Sequence, residues 1–135
     1  MSKRVENPRE LLSSAQAFTD SWADVGDYIQ VQMTDLLRVR MAITKNSSVN
    51  MRSRLVEYAV TGGTAFIPQI ETESASDVKL EPLYKEFNTD PAGLDASFTY
   101  DVKGMKIVKL QIEAGTVGAT PATLDECKIN AVREN

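Results

Sequence analysis

At 135 residues, 42% hydrophobic and 25% charged, the chain has the length and composition of one globular domain with its own core. A formal charge of −4 disfavours nucleic acid and anionic lipid as partners, and no apolar run approaches the ~18 residues of a membrane span. With no histidine and a single cysteine, Ser–His–Asp and Cys–His nucleophiles are excluded, and Cys127 has no intramolecular disulfide partner.

Residues 1–14 are polar and read as an N-terminal arm, with a short helical possibility at Pro8–Leu12, where Pro8 suits a first helical turn. Lys3 and Arg4 are followed by no apolar stretch, so no secretory signal is expected. Residues 15–135 read as one β-sandwich domain. Trp22–Met33 alternates at Ile29, Val31 and Met33 after a Gly26-Asp27 break. Leu36–Thr44 carries the strongest period of two: Leu37, Val39, Met41 and Ile43 share one face, and Arg38 and Arg40 point to the other. Lys45–Ser48 supplies turn chemistry, and Val49–Val60 resumes the extended pattern until Thr61-Gly62-Gly63.

Thr64–Ile70 and Val78–Phe87 each contain a proline (Pro68, Pro82), which assigns them to sheet edges or bulges. Ala96–Val102 and Met105–Ala114 read as a hairpin about Lys103-Gly104, with Val108, Leu110, Ile112 and Ala114 on the buried face. A small-residue loop, Gly115–Ala122, leads to the last strand, Thr123–Val132. These runs make eight strand candidates at roughly 8–12-residue spacing, so the predicted fold is an all-β, eight-stranded antiparallel sandwich, jelly-roll-like, with a short polar arm.

The strongest candidate for chemistry is an arginine quartet. If Leu36–Thr44 and Val49–Val60 pair as a hairpin with apolar residues together, Arg40 faces Arg52 and Arg38 faces Arg54. Like charges opposed across strands are unfavourable, so the quartet calls for acidic partners, and arginine's planar fork suits carboxylates. A Greek-key connection would instead place the two runs in different sheets. With the arm's Lys3, Arg4 and Arg9, these residues form the predicted interface; no catalytic residue, metal ligand or cofactor site is predicted.

Asp24 and Asp27 around Gly26, and Asp90 and Asp95 around a later turn, lack the oxygen spacing of a calcium loop. Gly115-x-x-Gly118 lacks the lysine and helix of a phosphate loop and reads as a flexible connection. Trp22, Tyr28, Tyr58, Tyr84 and Tyr100 are the residues a sugar-stacking platform would use. A carbohydrate- or receptor-binding module is therefore the alternative reading, and a carboxylate-based hydrolase is a third.

Two stretches, Phe18–Asp27 (FTDSWADVGD) and Ile107–Asp125 (IVKLQIEAGTVGATPATLD), resemble small β-sandwich virion proteins of tailed bacteriophages. That resemblance implies a non-enzymatic structural role in capsid decoration, head stabilisation, or a neck or tail accessory. It also implies assembly in the host cytoplasm, location in the virion, a capsid or neck/tail protein as partner, and a homo-oligomer (trimer or dimer).

Overall fold

A computed structural model describes residues 4–67, 69–73, 78–82, 84–87 and 93–133. The strands are β1 (Arg4–Val5), β2 (Arg9–Glu10), β3 (Gln16–Ala17), β4 (Ala23–Gln30), β5 (Leu36–Thr44), β6 (Val49–Tyr58), β7 (Ala65–Phe66), β8 (Gln69–Glu73), β9 (Val78–Pro82), β10 (Tyr84–Phe87), β11 (Gly93–Asp101), β12 (Ile107–Thr116) and β13 (Thr123–Arg133). There is no helix among the described residues. Pro8–Leu12, where a helical turn was possible, is extended through β2 instead. A six-stranded sheet 1 has the order β13-β5-β11, with β1, β2 and β3 in a row on the free edge of β13. A five-stranded sheet 2 has the order β4-β12-β6-β10, and β7 shares β10's edge of β6. All the pairings are antiparallel. The predicted sandwich is therefore present, with 11 strands in its two sheets rather than eight.

From β4 onward the chain switches sheets between β4, β5 and β6, and again between β10, β11, β12 and β13. Both sheets together have jelly-roll order. The expected hairpins are therefore sheet-to-sheet crossings. Leu36–Thr44 pairs with β11 and β13, not with Val49–Val60, and the turn at Lys103-Gly104 joins β11 in sheet 1 to β12 in sheet 2. Each long strand buries one face between the sheets, and crossing over lets both halves of a run contribute to the same core. Leu37, Val39, Met41 and Ile43 meet Val108, Leu110, Ile112 and Ala114 there, as the alternation requires. On β13 a register shift between Leu124 and Glu126 moves the buried set from even to odd positions, so Cys127 and Ile129 join Leu124 in the core. Tyr100 of β11 donates its hydroxyl hydrogen to Ser53 Oγ of β6, 3.1 Å away, and ties the sheets at their centre.

The first strand of the jelly roll is the segment expected as an arm. Residues 4–17 form a strap, broken into β1, β2 and β3, that follows β13 from Arg133 back to Thr123. Backbone bonds from Glu6 N to Ala131 O (3.0 Å), Leu11 N to Cys127 O (2.8 Å) and Phe18 N to Ala122 O (2.8 Å) hold it. The opposite flank has an insertion. β7 and β10 run in the same direction along β6 as two pieces of one edge strand, and the β8–β9 ribbon is inserted between them. Pro82 lies at the base of that ribbon, an edge position as expected; Pro68 lies outside the described residues.

Candidate interaction surface

The crossing of β5 and β6 separates the four arginines. Arg38 and Arg40 stand on the outer face of sheet 1, and Arg52 and Arg54 on the outer face of sheet 2. The hairpin that would have opposed them does not exist, because two strands that each bury an apolar face against one another cannot also lie side by side.

Arg52 and Arg54 are taken up internally. Arg52 pairs with Glu113 at 3.5 Å and lies 5.6 Å from the centre of the Tyr84 ring. Arg54 Nε donates to Gln111 Oε1 at 2.9 Å while its guanidinium sits 4.3 Å above Trp22. Gln111 Nε2 in turn donates to Asp24 Oδ1 (2.8 Å), and Lys109 Nζ donates to Asp24 Oδ2 (3.1 Å) while lying 4.3 Å from the Tyr28 ring centre. Partial burial acts to raise the Asp24 pKa, but the hydrogen bonds from Gln111 and Lys109 and the Lys109 charge outweigh it and lower the value. This ladder of cations, amide and carboxylate is paired within the sheet, except that Arg52 Nε is buried without a hydrogen-bond partner among the described residues. It also decides the geometry of the aromatic residues. Tyr28 and Tyr58 meet edge to face at 85°, Trp22 is half-buried and capped by Arg54, and Tyr100 is in the core. These four rings do not form the flat platform that stacking of a sugar needs, and Tyr84, the fifth candidate, is exposed beside Arg52.

Sheet 1 differs. Arg40 lies between Ser97 on β11 and Lys128 on β13, and Arg38 between Thr99 and Asn130. Both arginines are exposed, and neither has an ion-pair or hydrogen-bond partner among the described residues. Lys128 is held by Glu126 at 2.8 Å. An open groove of about 510 Å³ runs between Arg38, Arg40, Ser97 and Thr99 on one side and strap residues Val5–Pro8 on the other. A smaller depression of about 230 Å³ continues along Arg40, Asp95 and Glu126. The strap adds exposed Arg4, opposite Arg133, and exposed Arg9; Lys3 lies outside the described residues. Arg4, Arg9, Arg38 and Arg40 therefore lie on strands of sheet 1 without forming one cluster: Arg38 and Arg40 share the groove, Arg9 is in register with the core residue Ile129 and Arg4 with Arg133, and Arg52 and Arg54 belong to sheet 2.

Three solved structures are similar to this chain at low sequence identity. The SPBc2 prophage-derived protein YomS is 10% identical, with 98% of this chain and 94% of that chain covered and a TM-score of 0.47. A chain of infectious bursal disease virus, Gx strain, is 9% identical at a TM-score of 0.51, covering 98% of this chain but only 32% of the viral one. A protein of the Bacillus endospore appendages is 14% identical, covering 99% and 93%, at 0.42. The viral chain thus contains a similar sandwich within a longer protein. Comparison with protein-family models and with curated proteins finds no match.

The remaining candidates resolve into structural roles. Asp27 Oδ1 accepts from Tyr28 N at 2.7 Å in the β4 bulge, Asp95 is exposed on β11, and Asp90 lies outside the described residues. Among the described residues no three potential metal ligands cluster. Burial, with a smaller contribution from the Glu10 charge, pushes the Cys127 thiol up to about 12, far from a reactive thiolate. Gly118 belongs to a loop hydrogen-bonded to the turn between β5 and β6. Ser47 Oγ donates to Thr120 O (2.7 Å), Asn46 Nδ2 to Pro121 O (2.9 Å) and Ser48 Oγ to Val117 O (2.7 Å). The sequence reading missed two features here, the strap that walls the groove and this loop lock. The lock had a signal in Asn46-Ser47-Ser48, three hydrogen-bonding side chains in a row. The strap had almost none, because residues 4–10 are exposed and held mainly through backbone groups.

Proposed function

We propose that this chain is a non-enzymatic structural protein of a tailed-phage particle that attaches through protein–protein contacts to an acidic surface of another virion protein, a capsid or neck/tail component. The observation that carries the reading is the exposed Arg38–Arg40 pair, uncompensated by any described residue, in an open groove walled by the strap. Two guanidinium groups two residues apart on a strand point the same way, so they can grip carboxylates bidentately without rearrangement of the fold. The tailed-phage setting rests on the resemblance of Phe18–Asp27 and Ile107–Asp125 to small virion proteins, and the sandwich supports it as a compatible scaffold.

The groove and the ladder make different demands, which gives the test. Arg38→Ser with Arg40→Ser should abolish or strongly reduce occupancy on purified particles while the thermal midpoint stays within a few degrees, because neither side chain has a partner among the described residues. Arg52→Ser with Arg54→Ser should lower the midpoint and spare attachment of the folded fraction. Occupancy unchanged in the first variant removes the groove from the interface.

A further inference from the structure

A sandwich has four sheet edges, and three of these are blunted. On sheet 1 the β13 edge is covered by the strap. On sheet 2, β4 bulges where its register to β12 shifts, and Gln16 Nε2 donates to Asp24 O (3.0 Å) along it. The other edge of sheet 2 is cut into the short pieces β7 and β10. The fourth, β11, is nine residues long and stays in unbroken register with β5 from Gly93–Thr44 to Asp101–Leu36. No described strand pairs its outer side. It contains no proline, lysine or bulge, the devices that keep edges from recruiting strands.

We infer that β11 pairs with β11 of a second copy of this chain, antiparallel about a twofold axis at Ser97, joining two copies of sheet 1 into one continuous sheet. The register follows from the strand itself. With Ser97 opposite the partner's Ser97, all nine residues pair, and Asp95 stands opposite the partner's Thr99, a hydroxyl that can donate to its carboxylate. Centring on Phe98 instead opposes Asp95 to the partner's Asp101, and centring on Ala96 shortens the ladder. The neighbouring row supports the same choice. Thr99 is paired with Arg38 on β5, so the row across the junction reads Asp95, the partner's Thr99, the partner's Arg38. That places an exposed carboxylate two strand spacings, about 9.5 Å, from an arginine of the other copy that has no partner among the described residues, within the combined reach of the two side chains. The symmetry repeats the arrangement, and an isologous interface of this kind closes at two copies. The two Arg38–Arg40 grooves then lie on one face of the joined sheet. The inference goes beyond the attachment reading and does not require a particle.

The test is sedimentation equilibrium of the full chain alone, over a wide concentration range. The parent should associate to a dimer. Thr99→Asp, which opposes carboxylates twice across the axis, should weaken dimerisation about tenfold, and Thr99→Lys should tighten it by a similar factor. Asp95→Lys combined with Thr99→Asp should restore parental affinity, which only this register predicts. Both side chains are exposed, so thermal midpoints should barely move. A parent that stays monomeric, or a dimer indifferent to Thr99→Asp and Thr99→Lys, overturns the proposal. The first outcome would leave the edge to a strand of a different protein. Particle occupancy of the Arg38→Ser/Arg40→Ser chain is read separately, so either idea can fail without the other.

Discussion

Ser48 is fully buried where the turn between β5 and β6 meets the loop before β13. Its hydroxyl donates to Val117 O at 2.7 Å and accepts from Ala122 N at 2.8 Å, satisfying two backbone groups that have little access to water. Ser48→Ala should therefore cost about 2–3 kcal/mol, since an orphaned buried group costs about 1–3 kcal/mol. Ser47→Ala should cost less than about 1 kcal/mol, because that hydroxyl is exposed and water can replace it. Urea midpoints of the two variants check the ordering, and equal losses would refute it. At this scale the sequence shows donors but not what they meet. Asn46-Ser47-Ser48 announces a turn, yet the groups it bonds are 69 to 75 residues away. The arginines follow the same logic: alternation puts Arg38 and Arg54 on outer faces, but only the cross-strand neighbour leaves one without a partner among the described residues and gives the other Gln111.

Among the elements, the strap depends on a contact that sequence periodicity could not reveal. Gly26 has φ +69° in the bulge of β4, and a Cβ added there would lie 2.7 Å from both Cγ and O of Leu11. Leu11 thus packs into space that only glycine leaves, and Leu11 and Leu12 are the strap's apolar anchors against the core. Gly26→Ala should strain the bulge by roughly 1–2 kcal/mol and also displace the strap. Hydrogen exchange separates the two effects. The amides of Glu6 and Leu11, bonded to Ala131 and Cys127, should lose protection while those of β5 keep theirs. Uniform loss of protection would mean that the strap is no separate unit. Where elements have strong alternation they were legible: β5 runs over the predicted Leu36–Thr44. Val49–Val60 and Thr123–Val132 moved by one or two residues at an end. Pairing was not legible, because alternation says that a strand has a buried face and is silent on which sheet supplies the strand beside it.

For the molecule as a whole, a net charge of −4 and a local pair of arginines without a partner among the described residues act over different distances. An acidic partner surface repels the chain as a whole but attracts Arg38 and Arg40 at contact. The Debye length shrinks from about 30 Å at 0.01 M salt to about 8 Å at 0.15 M, so the long-range repulsion is screened before the contact attraction is. At about 1 M, with a screening length near 3 Å, the exposed arginine contacts weaken as well. Attachment to particles should therefore pass through a maximum near 0.1–0.2 M salt, with slower association at the low-salt end, where the encounter is opposed. In Arg38→Ser/Arg40→Ser the maximum should vanish. Attachment that falls steadily from the lowest salt would mean that the groove meets a partner without net negative charge. Attachment indifferent to salt would show that apolar contacts, rather than these arginines, hold the complex.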